Sequence, residues 1–213
     1  DYYKEAFEKA EKRAYGVTLT AELSGSYNSA MLARDLVLEE RPELQIHIFN
    51  SRSASVGETL ITEKIQECEE KGMEFSEVVE TVENYINTQN TYFVLENLET
   101  LRKNGRLSNL KAFVASALKI KPVMGATPEG TIIQLDQARG MNKALVKMVD
   151  YIAEAAEDPE QKILGITHCN CPERAEAVKN AILEKISVKD VILLDTAGVS
   201  SMYANDGGVI VVL

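Results

Sequence analysis

A chain of 213 residues with 45% apolar side chains has enough material for one large or two small packed domains. Its formal net charge of −10, with lysines scattered among glutamates, argues against a nucleic-acid partner, and no apolar run reaches the roughly 18 residues that a membrane-spanning helix needs. Three cysteines, an odd number in a chain this long, do not make a disulfide framework, so a reducing cytoplasm is the simplest home.

The opening residues, Asp1-Tyr2-Tyr3-Lys4-Glu5, lack the pattern of a signal peptide. Tyr2, Tyr3, Phe7 and Ala10 make a short amphipathic turn-and-a-half, and a strand follows almost at once. An α/β domain ordinarily opens on a strand, so the chain reads as beginning partway into a domain. Tyr15 to Leu19 is short, apolar and β-branched, the mark of a buried strand. Met31, Leu32, Leu36, Val37 and Leu38 then recur at helical spacing as far as Glu40.

Between that strand and helix lies Thr20-Ala21-Glu22-Leu23-Ser24-Gly25-Ser26-Tyr27-Asn28-Ser29-Ala30, rich in small hydroxyl residues with one glycine. A strand turning through Ser-Gly-Ser into a helix leaves unpaired backbone N–H groups at the helix start beside hydroxyl donors. That arrangement attracts a carboxylate or phosphate. On the plainer reading, Ser24 or Ser26 only caps the helix.

Leu44 to Asn50 is a second strand, and strand–helix–strand order gives a parallel pair with a right-handed crossover. Ser51-Arg52-Ser53-Ala54-Ser55-Val56-Gly57 is again hydroxyl-rich and leads into a helix from about Glu58 to Lys71. Loops at the carboxyl ends of neighbouring parallel strands share the crevice where α/β sheets bind ligands, which makes Ser53 a second candidate. His47 lies within the strand and reads as a hydrogen-bonded structural residue. Phe75 to Ile86 is a further helix, and the polar Asn87-Thr88-Gln89-Asn90 marks a domain boundary, giving domains at 1–89 and 90–213.

The second half changes rhythm. Thr91 to Leu95 is a strand; Leu98 to Lys103 is a short helix stopped by Asn104-Gly105; Asn109 to Ile120 reads as an unusually apolar helix. Pro122, Val123 and Met124 continue as a strand, Pro128-Glu129-Gly130 turns, and Thr131 to Leu135 returns. Met141 to Ala156 and Glu173 to Lys185 are helices; Lys162 to Thr167 and Asp190 to Leu194 are strands. The wholly apolar Val209 to Leu213 suits a sheet interior. His168-Cys169-Asn170-Cys171 invites a zinc hypothesis, but further ligands at a usual spacing are absent, since Cys68 belongs to the other domain.

Four stretches in this order, Leu-Ser-Gly-Ser-Tyr-Asn-Ser-Ala (23–30), Leu-x-x-Leu-x-x-Asn-Gly-Arg-Leu-Ser (98–108), Leu-Lys-Ile-Lys-Pro (118–122) and Ala-Arg-Gly (138–140), resemble the DegV family over nearly the whole chain. The resemblance implies a bacterial fatty-acid-binding protein that presents an acyl chain to a fatty-acid kinase. It further implies two α/β domains with the acid between them, the carboxylate at the strand-to-helix serine loop and the tail in a tunnel. The first domain would carry a parallel sheet, incomplete at its N-terminus, and the second a mixed or antiparallel one.

Each buried methylene contributes about 0.8 kcal/mol, so an acyl chain of about fourteen to eighteen carbons needs a long apolar slot rather than strong polar contacts. Phe113, Val114, Leu118, Ile120 and Met124 are equally candidates for its lining and for ordinary core. Head-group candidates are Thr20, Ala21, Ser24, Gly25, Ser26 and Ser53. Three departures from the family pattern bear on them. The family's Thr-Ser-Gln segment is not in this chain, its Ser-Ser pair reads Thr20-Ala21, and its His-x-Gly-Pro-Gly reads Ala204-Asn205-Asp206-Gly207-Gly208. Ala204 stands where the carboxylate-contacting histidine would be, with Tyr203 or Asn205 as substitutes.

Arg106 and Arg139 flank turns and read either as surface ion-pair partners or, by the resemblance, as residues near the ligand entrance where a kinase docks. Neither histidine has a credible Ser or Cys partner in the motif loops, so a carrier without catalysis or cofactor is the leading reading. A small-molecule enzyme using the serine loops, and a non-binding paralogue, stand as alternatives.

Overall fold

The computed structural model describes residues 2–107 and 119–213. The chain divides into two compact units, residues 1–89 with 128–131, and residues 90–127 with 132–213. Each is an α/β layer structure, the first with a parallel sheet and the second with a mixed one, as the sequence predicts.

The first unit contains α1 (Tyr2–Phe7), β1 (Arg13–Thr18), α2 (Ser26–Glu40), β2 (Gln45–Asn50), α3 (Val56–Glu70) and α4 (Phe75–Asn87). β1 and β2 pair in parallel from Arg13↔Gln45 to Thr18↔Asn50. Their side chains alternate between two cores. Ala14, Ile46 and Ile48 pack with Phe7, Ala30, Ala33 and Val37 of α1 and α2. Tyr15, Val17 and Phe49 pack with Ile61, Ile65, Val78, Val82 and Ile86 of α3 and α4. A Cβ at Gly16 would stand 2.9 Å from Cδ1 of its strand neighbour Ile48 and 3.4 Å from Cζ of Phe7 in α1, so the glycine leaves room for both side chains. α2 stops at Glu40, two residues before Pro42, whose ring disfavours helical geometry in the residue before it.

The second unit contains β3 (Thr91–Val94), α5 (Glu99–Lys103), β4 (Ile120–Ala126), β5 (Ile132–Arg139), α6 (Met141–Ala155), β6 (Ile163–His168), α7 (Pro172–Leu183), β7 (Asp190–Asp195), α8 (Gly198–Ala204) and β8 (Val209–Val212). Sheet order is β5-β4-β3-β8-β6-β7, with only β6–β7 parallel among its pairs. β8 lies between β3 and β6, and its valines 209, 211 and 212 are fully buried, which accounts for its apolar composition. Pro122 is tolerated because the β3 ladder reaches β4 only at Met124 and Gly125, so no inter-strand partner there needs its missing N–H.

Three details differ from the sequence reading. Ile120 opens β4 rather than closing a helix, and the rest of that expected helix, with Phe113, Val114 and Leu118, falls on residues 108–118, outside the described residues. β5 runs on to Arg139 rather than ending at Leu135, and α8 was not anticipated.

Candidate functional site

In the first unit the carboxyl ends of both parallel strands carry the hydroxyl-rich turns. Thr20 is 1% exposed and is tied three ways. Its N–H donates to Ser53 O at 3.0 Å, its Oγ1 donates to Gly130 O at 3.2 Å, and the same oxygen accepts the Glu22 N–H at 3.4 Å. The last residue of β2 joins the turns: Asn50 Oδ1 accepts the N–H of Ala21 at 3.0 Å and that of Arg52 at 3.3 Å. Ser51 Oγ donates to Ser53 O at 3.0 Å and accepts the Ser53 N–H at 3.1 Å, which folds the second turn on itself. Thr20, Ala21 and Ser53, predicted separately, are thus brought into one network.

The start of α2 departs from the simple capping expectation. Its cap position falls on Gly25, and no side chain supplies a capping bond. Ser24 Oγ instead accepts the N–H of Ser26 at 3.2 Å, while Ser26 Oγ is buried and has no hydrogen-bond partner among the described residues. The helix therefore keeps an N-terminus lined by hydroxyls and one flexible glycine, the geometry that receives an anion.

Two non-glycine residues in the second turn, Arg52 (φ 51°) and Ser55 (φ 58°), occupy left-handed backbone that such residues rarely adopt, and strain of this kind concentrates at functional sites. α3 begins with a capping box: Ser55 N–H donates to Glu58 Oε1 at 3.2 Å, while the Ser55 side chain receives the backbone of the third helical residue. Burial pushes the Glu58 carboxyl up from its ordinary 4.5 to about 7, against the bond from Ser55. The folded chain then holds a proton that the unfolded chain releases. Stability is full below about pH 4.5 and falls as pH rises toward about 7. Glu58→Gln is expected to flatten this slope and to gain on the order of 2 kcal/mol over wild type above neutrality. Denaturant unfolding across pH checks it, and parallel profiles for the two proteins would contradict it.

In the second unit, Asn205 follows α8 at φ 56°, its Oδ1 accepting from Thr100 Oγ1 at 3.3 Å and its Nδ2 donating to Tyr203 O at 3.0 Å. Tyr203 and Asn205 are therefore adjacent, and Ala204 between them is buried. The loop after them is clamped. Arg174 donates Nη1 to Gly207 O and Nη2 to Glu96 Oε1, the latter at 3.0 Å, and Lys121 Nζ reaches both Glu96 O and its carboxylate. Burial pushes the Glu96 carboxyl up, but Lys121 and Arg174 outweigh it and hold the group below the usual carboxylate range. Arg106, exposed after α5, donates to Asn104 O at 2.6 Å. Phe113 falls outside the described residues.

Both histidines have structural partners. His47 Nε2 lies 3.0 Å from Glu83 Oε1, and the buried His168 Nδ1 accepts the Cys171 N–H at 3.4 Å. Among the described residues no group of three or more His, Cys, Asp or Glu side chains is placed to hold a metal ion, and no helix is long and apolar enough to cross a membrane. Sequence reasoning missed Asn50 and Gly130. The one signal for Asn50 was its place at the carboxyl end of a parallel strand; Gly130 joins the network across 110 residues of chain.

Comparison with known proteins identifies the family and the fold. The DegV family model matches residues 1–213. A DegV-family crystal structure from Ruminococcus gnavus ATCC 29149, refined with vaccenic acid, is 59% identical with a TM-score of 0.95, over 99% of this chain and 75% of that one. The Streptococcus pneumoniae Fatty Acid Kinase (Fak) B3 protein loaded with linoleic acid is 34% identical with a TM-score of 0.89, over 99% of this chain and 74% of that one. A DegV domain-containing protein of S. pneumoniae strain R6 is 35% identical over 210 residues, 99% of this chain and 74% of its own length.

Proposed function

The chain belongs to the DegV family, and on that premise we propose that it is a fatty-acid carrier that binds a long-chain acid and presents the carboxylate to a fatty-acid kinase. The observation that carries this reading is the superposition of nearly the whole chain on a 59% identical relative solved with vaccenic acid. In this reading residues 1–89 with 128–131 belong to the first DegV-type domain, and residues 90–127 with 132–213 to the second.

In this reading the head group sits at the hydroxyl-lined start of α2, and hydrogen-bond commitments rank the candidates. Thr20 Oγ1 already donates to Gly130 O, and the Ala21 N–H is taken by Asn50, so both act as framework. Ser24 Oγ accepts one bond and keeps its own proton to donate, Gly25 permits close approach, and Ser26 Oγ is uncommitted. Ser53 holds the Thr20 backbone in place. Hydroxyls and N–H groups hold a carboxylate without burying a cation against it, so it stays reactive toward a phosphoryl donor. Affinity comes from the tail, at about 0.8 kcal/mol per buried methylene.

The protein carries and presents; the chemistry belongs to the kinase. Three free thiols fit a reducing cytoplasm, and a net charge of −10 fits no nucleic-acid partner. Arg106 faces the kinase. Presenting the acid-loaded chain to a fatty-acid kinase with ATP tests this: acyl phosphate is expected, with a rate reduced at least tenfold for Arg106→Ala. Unchanged phosphorylation by that variant would remove Arg106 from the role, and no product from the wild type would remove the carrier reading.

A further inference from the structure

Two half-buried thiols, Cys169 and Cys171, flank Asn170 in the turn that joins β6 to α7. The chain bends there, and Asn170 takes a positive φ of 53°, which asparagine tolerates better than most residues. The turn is stitched to the loop that follows α8. Cys169 N–H donates to Gly208 O at 3.0 Å, Gly207 N–H donates to Cys169 O at 2.8 Å, and Cys171 Sγ donates to the same Gly208 O at 3.6 Å. Both cysteines thus meet at one carbonyl. Burial is the main force pushing the Cys171 thiol above its ordinary pKa; the neighbouring Cys169 thiol and Asp206 add to it, while Arg174 and the Cys169 N–H oppose it. The two sulfurs are therefore close enough to feel each other's charge.

Nothing in α7 asks for sulfur at 171. The residue holds the cap position, where Ser, Thr, Asp or Asn ordinarily bonds the first free N–H groups, yet among the described residues no side chain caps this helix. A serine hydroxyl would also serve Gly208 O better than a thiol, which is a weak donor. What two thiols one residue apart offer, and hydroxyls do not, is a reversible bond to each other. We propose that Cys169 and Cys171 form a redox-modification site, closing to a disulfide on meeting a small-molecule disulfide and opening again under excess thiol. The Cys169 thiolate attacks one sulfur of the small disulfide, forming a mixed disulfide and expelling one small thiolate. Cys171, which burial keeps protonated and so places second, gives up its proton and attacks the Cys169 sulfur, closing the protein bond and expelling the other thiolate. Two protein thiols are oxidised, one external disulfide is reduced to two thiols, and the two protons pass to the departing thiolates. Half exposure at both sulfurs keeps the bond labile.

Closure removes the Cys171 S–H from Gly208 O. The loop has little slack to compensate, since Gly207 sits at φ +84° and a Cβ at Gly208 would stand 2.5 Å from Ala204 O. Oxidation therefore loosens the stretch 205–208, whether or not the protein carries an acid. The test treats the whole chain with oxidised glutathione, alkylates the remaining thiols and weighs the peptides, with amide hydrogen exchange followed before and after. The peptide carrying both cysteines is expected to lose two hydrogens and take up no alkyl label, while Cys68, 1% exposed and in the first unit, stays reduced. Gly207 N–H should exchange about tenfold faster in the oxidised protein, and excess reduced glutathione should restore both readings. Cys169→Ser and Cys171→Ser keep a polar donor at each position and should each stop at the mixed disulfide. Two separate glutathione adducts on the wild-type peptide, or both thiols still free, overturn the site. A disulfide that leaves Gly207 exchange unchanged overturns its link to the loop.

Discussion

Replacing Gly130 with alanine is expected to destabilise the first unit by about 3 kcal/mol and to weaken acid binding with it. Gly130 adopts φ +93°, where an L side chain is strained by about 1 kcal/mol or more. A Cβ there would also overlap Thr20 Oγ1 and stand 2.8 Å from Arg52 Cα and 2.9 Å from Arg52 O. The Arg52 atoms are backbone and cannot swing aside, so the 128–131 turn must shift. That shift breaks the bond from Thr20 Oγ1 to the Gly130 carbonyl and frees a buried hydroxyl at the head-group network. Denaturant unfolding measures the stability loss. A Gly130→Ala midpoint equal to that of wild type would show that the turn does not hold this contact in solution.

Phe49→Ala is expected to lose about 3–5 kcal/mol. Phe49 is fully buried, stacks on Tyr15 with centroids 6.2 Å apart, and meets the His47 ring edge-on at 4.5 Å. The cavity it leaves is walled by Ile61, Ile65, Val78, Val82 and Ile86, from two helices that cannot both collapse inward. It also directly precedes Asn50, whose Oδ1 joins the two polar turns, so the loss should reach the site. Phe49→Leu should lose less than half as much. Thermal and chemical unfolding of both variants check the prediction, and an alanine variant within about 1 kcal/mol of wild type would contradict it.

Local pattern was enough to read most of the first unit. β1 and β2 place Tyr15, Val17, Ile46 and Ile48 at strand spacing, and α4 presents Val78, Val82 and Ile86 at helical spacing, so period alone separates them. β8 was legible for the same reason, its unbroken valine-rich run requiring burial on both faces. α8 escaped notice because it lacks an apolar stripe: Val199 and Met202 are more than half exposed, and of its residues only Ala204 is buried. The end of β5 escaped because Asp136, Gln137 and Arg139 are polar residues on an edge strand that neither face forces to be apolar.

At the site, the sequence marked which turns bear hydroxyls and not which hydroxyls are free. Thr20 pairs with a residue 110 positions away, and Asn50 gathers two N–H groups from separate turns. No spacing rule reports such long-range commitments.

The measurement that bears most directly on the carrier role is mass spectrometry of an organic extract of the purified chain. The account predicts a long-chain fatty acid at close to one per protein molecule, replaceable by added vaccenic acid with a rise in melting temperature. Protein that extracts empty, and whose melting is unmoved by long-chain acids, would contradict it.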